Sequence, residues 1–93
     1  MSLTLQNPLK DPSAVLDYAF DWTHWLATSE TIANHTITAD TGIVVDSSTE
    51  NAGIVTVWLS GGEAGTNYKV ACLITTTAGR TDERTIWIKV VER

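Results

Sequence analysis

A single cysteine, Cys72, occurs in the 93 residues, so no internal disulfide can form and packing alone must hold the fold. Proline is confined to Pro8 and Pro12, which leaves everything after the first turns without an obligatory break. Lysine occurs only three times, and six basic against eleven acidic side chains give a net charge of −5. That balance argues against a nucleic-acid binder, which needs a basic patch to release counterions from phosphates. No apolar run reaches the roughly eighteen residues of a membrane span. The opening Met-Ser-Leu-Thr-Leu-Gln lacks the charged and apolar regions of a secretion signal, so synthesis in the cytoplasm is expected. A 10.1 kDa chain buries only about 60–65% of its unfolded surface, enough for one modest core and no second lobe.

What is plentiful points one way. Threonine occurs fifteen times, and valine and isoleucine are frequent. β-Branched side chains crowd a helix and suit a pleated surface, so the composition is all-β.

Residues 1–14 hold both prolines and no sustained period; they read as an extended N-terminal arm, followed by one domain over 15–93. From Val15 to Trp22, Leu16, Tyr18, Phe20 and Trp22 share one face, with Asp17 and Asp21 on the other. Thr23–Ala27 breaks that period as a turn, with Trp25 and Leu26 plugging an end of the core. A second strand covers about Thr31–Thr38, where the opposite parity of Ile32 and Ile37 suggests a bulge or a change of sheet. A third starts at Ile43–Val45 and is expected to fade into Asp46-Ser47-Ser48-Thr49-Glu50.

The second half alternates more cleanly. Val55, Val57 and Leu59 oppose Thr56 and Trp58; Tyr68, Val70, Cys72 and Ile74 oppose Lys69, Ala71 and Leu73; Ile86, Ile88 and Val90 oppose Trp87, Lys89 and Val91. Asp82 and Glu83 are read as part of a turn. Strands with turns every 8–12 residues or so predict an immunoglobulin-like antiparallel β-sandwich of about seven strands. Gly65-Thr66-Asn67-Tyr68-Lys69-Val70-Ala71-Cys72 resembles the tyrosine corner of such folds, in a disulfide-free form.

Chemistry-bearing patterns are weak. Leu59-Ser60-Gly61-Gly62-Glu63 is near the signature of ABC ATPases, but no phosphate-cradling loop accompanies it, so it reads as a hairpin loop. His24 and His35 have no second ligand at metal spacing, and Cys72 lies mid-strand among apolar neighbours. A nucleophile needs a base and an orienter beside it. No catalytic residue, metal or cofactor is expected, and the carboxylates read as a solvated face.

Trp58 and Trp87 are the most suggestive residues, because both fall on the polar parity of their strands: either they anchor a partner, or residues 1–14 cover them. Tryptophan is costly to expose and is enriched at contact hot spots. Residues 1–50 carry Lys10 against seven acids, whereas 51–93 carry five bases against four acids. That split reads equally as chance that serves solubility or as a polarised subunit whose acidic face meets a basic face of a neighbour. Candidate contact residues are therefore Trp58, Trp87, Arg80, Asp82, Arg84 and the arm residues Pro8 and Pro12. The same tryptophans could instead stack sugars as one adhesion platform.

Four segments carry a family likeness: Lys10-Asp11-Pro12-Ser13-Ala14-Val15-Leu16-Asp17-Tyr18, Asp21-Trp22-Thr23-His24-Trp25-Leu26, Thr56-Val57-Trp58-Leu59-Ser60-Gly61-Gly62, and Thr76-Thr77-Ala78-Gly79-Arg80-Thr81-Asp82-Glu83-Arg84. Together they resemble small virion proteins of tailed phages and prophages, the phage fibre–tail adaptor family, over about residues 9–92. The resemblance implies a non-enzymatic structural protein of the virion, located at the tail or one of its joints. It also implies other tail, neck or fibre proteins and further copies of the chain as partners, without nucleic acid or membrane.

Overall fold

Period-two alternation becomes strand pairing almost wherever it occurs. The computed structural model describes residues 9–92, and its regular structure is all β. In chain order the strands are β1 (Leu9–Lys10), β2 (Leu16–Asp21), β3 (Ile32–Ala39), β4 (Ile43–Asn51), β5 (Ile54–Gly61), β6 (Asn67–Thr76) and β7 (Thr81–Val90). Six of these are substantial; β1 is a two-residue segment, and only by counting it does the total reach seven. β2, β5 and β4 make a three-stranded antiparallel sheet in that order. β7, β6 and β3 make a second antiparallel sheet, and β1 adds to its edge in parallel with β7.

Both sheets turn their apolar faces to one core. Phe20, Val55, Val57 and Leu59 come from the first; Tyr68, Val70, Cys72, Ile74, Ile88 and Val90 come from the second. Each fully buried Val, Leu or Ile contributes roughly 1.5–3 kcal/mol relative to exposure, so these strand faces are the main source of cohesion. The edges of the two sheets also meet where His35 of β3 shares a 3.0 Å hydrogen bond with Ser48 of β4.

Three local expectations change. β4 does not fade at Asp46 but runs on to Asn51, in register with β5 apart from a bulge between Val45 and Ser47. Its polar residues lie on an edge strand, where pairing with β5 rather than apolar burial sets the length. The chain returns through Ala52-Gly53, with φ of +52° and +88°. A two-residue hairpin of that hand matches the twist of its strands, and glycine takes the second position without strain. Asp82 and Glu83 lie not in a turn but on β7, opposite Ile74 and Leu73, because the turn between β6 and β7 ends before Thr81. The Ser60–Gly65 region is not a hairpin loop: it carries the chain from β5 in one sheet to β6 in the other. The bulge expected from Ile32 and Ile37 is present, between Ile32 and Asn34.

Candidate interaction surfaces

Strand parity that buries Val57 and Leu59 must point Trp58 outward, and Trp58 is 42% exposed on the outer face of the β2-β5-β4 sheet. Its cross-strand neighbours are Asp17 on β2 and Ser47 on β4. Beyond it, Ser60 donates to Asp46 Oδ1 at 3.0 Å. Val44, opposite Ser60, is exposed, as is Val15 just before β2. β2, β4 and β5 contain no lysine or arginine, so this surface is an aromatic residue set among acids.

Trp87 is 46% exposed on β7, opposite Lys69 of β6 and two residues from Lys89. Leu73, on the same outer parity of β6, is exposed as well. Trp58 and Trp87 therefore lie on the outward faces of different sheets. Sheets packed across a core stand about 10 Å apart before their outward side chains are added. The two rings cannot form one sugar-stacking platform; each lies on its own surface. Parity put each ring on the polar side of its strand without deciding whether it is covered, and the assignment of β5 and β7 to different sheets is a property of topology.

The two arginines are engaged within the chain. Arg80 grips Glu30, donating from Nη2 to Oε1 at 2.5 Å and from Nε to Oε2 at 2.9 Å. Thr76 Oγ1 and the Ala27 N–H complete the carboxylate's partners at 2.5 and 2.8 Å. Those donors hold the Glu30 carboxyl down to about 2, Arg80 first among them. Arg80 also lies 4.0 Å above the Trp25 ring, which meets Trp22 edge-on at 5.5 Å between centroids. Arg84 covers Trp22 at 4.2 Å and donates to the Asp21 carbonyl at 2.7 Å. Guanidinium–indole contacts of this kind contribute about 0.5–1 kcal/mol each at exposed sites. Glu30 escaped sequence reading because its partner stands fifty residues away and it belongs to no strand period. Asp82 is exposed at the start of β7, with Oδ1 accepting from the Glu83 N–H at 2.8 Å.

At the opposite end, the Tyr68 hydroxyl accepts the N–H of Glu63, five residues upstream, at 2.9 Å. Gly62, with φ of +94°, packs so closely that an added Cβ would stand 2.7 Å from Val90 Cγ2. Lys10 is fully buried here, its ammonium donating to the carbonyls of Asp11 and Gly61 at 2.9 and 2.6 Å. Burial pulls its pKa down, opposed by Asp11 and Asp46. Pro12 is half-buried in the turn after β1, and Pro8 lies outside the described residues.

Cys72 is buried, and burial raises its thiol pKa. The Trp22 indole N–H lowers it in part, though that N–H reaches no hydrogen-bond geometry with any partner among the described residues. His24 is exposed, and the hydrogen-bond partner of His35 is Ser48. Among the described residues, no three or more His, Cys, Asp or Glu side chains gather to hold a metal.

Comparison with family models places residues 10–89 in register with the model described as podophage GP4 fiber-tail adaptor protein gp77. Comparison with curated proteins finds no match.

Proposed function

The chain belongs to the podophage fibre–tail adaptor family, and from that premise we propose that it is a non-enzymatic joining subunit of the virion. It is made in the cytoplasm of the infected host and assembles through protein–protein contacts with tail, neck or fibre proteins and with further copies of itself. The observation that carries this reading is the pair of exposed tryptophans on opposite faces, Trp58 on one sheet and Trp87 on the other. A subunit that joins two neighbours needs two separate surfaces, and buried aromatic anchors dominate contacts of this kind.

The fold we infer is an immunoglobulin-like sandwich. Its support is the strand order β2-β5-β4 against β1-β7-β6-β3 and the Tyr68 corner. The N-terminal segment adds to the contacts with neighbours from its place beside β7, where Leu9–Lys10 pair and Pro12 lies in the turn that follows. Arg80 and Arg84 shape the end from which Asp82 projects, and that end takes part in contacts through its exposed rim.

Proteomic mass spectrometry of purified virions tests membership, and absence of the chain from particles ends the proposal. Particle yield tests the surfaces: Trp58→Ala and Trp87→Ala should each block incorporation while the free subunit stays folded by circular dichroism. Normal particles from both variants would remove these residues from the joint.

A further inference from the structure

The exposed tryptophans differ in what surrounds them. Trp58 sits opposite Asp17, with Asp46 hydrogen-bonded to Ser60 farther along the same face. No basic residue occurs on any strand of that sheet. Trp87 sits opposite Lys69 and two residues from Lys89, both exposed. Two counter-charges share this side, and one of them, Glu83, stands directly opposite Leu73. Asp40 accepts the Lys69 N–H at 2.8 Å at the strand edge, and Glu83 stands four residues along β7. Each face thus has an aromatic centre and an apolar neighbour, Val44 on one and Leu73 on the other, but the charges beside the rings have opposite sign.

We propose that these two faces recognise each other, so that the Trp58 face of one copy docks on the Trp87 face of the next. The occupant of each surface is a second copy of this chain. Self-pairing of the Trp58 face would set acids against acids, and like charges brought together in a desolvated interface repel. The opposite pairing brings Asp17 and Asp46 to Lys69 and Lys89 around two aromatic anchors. Because the faces are different surfaces, the contact is head-to-tail. Such a contact generates rings when its rotation closes and open arrays when it does not. The inference rests on reading the chain as an assembly subunit but concerns only contacts between copies.

Sedimentation equilibrium of the purified full chain at low salt tests it. The wild-type chain should grow past the dimer as concentration rises, and raising the salt from 50 to 500 mM or so should weaken association several-fold by screening the charges. Trp58→Ala and Trp87→Ala should each weaken self-association by about tenfold or more. Mixed in equal amounts, the two variants should form one-to-one pairs and stop there, because each retains the face the other lacks. Should either substitution disturb folding, Asp17→Lys and Lys69→Glu carry the same test: each alone weakens association, and mixing them restores it.

A wild-type chain that stays monomeric throughout overturns the proposal, as does dimerisation of one tryptophan variant alone with wild-type strength. Either result, combined with presence of the chain in virions, leaves the adaptor reading standing and removes only this contact.

Discussion

The two ends of the molecule are closed by different chemistry. At the end formed by Trp22, Trp25 and the β6–β7 turn, a carboxylate and two guanidinium groups lock the aromatic rings. At the other, a phenol, a tightly packed glycine and a buried lysine hold the crossing chain. The difference teaches where each end is vulnerable. The first end responds to protonation of its acid, whereas the second responds to added volume.

The largest break in that contrast should come from Trp22→Ala. It removes a fully buried indole and leaves Arg84 without its platform. Chemical denaturation should show a loss of about 3–5 kcal/mol. Next is Gly62→Ala at the opposite end, where a positive φ and a 2.7 Å approach to Val90 both oppose a Cβ. The same measurement should show about 2 kcal/mol lost. Tyr68→Phe keeps the ring and removes the acceptor for Glu63, so about 1 kcal/mol should go.

The smallest change is one of pH response. The folded Glu30 carboxyl titrates at about 2, below its ordinary 4.5, so the ionised form is favoured in the folded state. Its stabilisation is complete above about pH 4.5 and is lost as pH falls toward 2. Asp21, lowered by hydrogen bonds from Thr23, adds to the loss in the same direction. Thermal melts across this window should show a shallower acid decline in Glu30→Gln than in the wild type. Equal slopes would detach the acid response from this end.

Much of the fold was legible because burial on a strand follows a period of two. Val55, Val57 and Leu59 lie inward and Trp58 outward, as alternation demands. β4 was less legible because Ser47, Ser48 and Thr49 lack an apolar signal and owe their pairing to β5. The candidate surfaces were legible one residue at a time. That Trp58 and Trp87 face opposite ways depends on which strands share a sheet, a non-local fact. The charge split between chain halves maps onto the sheets only in part: β2, β4 and β5 hold acids and no bases, whereas β7 carries Asp82 and Glu83 beside Arg84 and Lys89. The Glu30–Arg80 clip had no local signature, joining a loop to a turn across fifty residues.

Cys72 has a practical consequence. It is the chain's single thiol, and it is sealed in the centre of the core. A thiol reagent can reach it only when the sheets part, so its labelling rate is a clock for opening of the whole fold. The same clock runs in an assembled particle without any added probe site. Comparing labelling of free and incorporated subunits would measure directly how far the neighbours slow the opening of each copy.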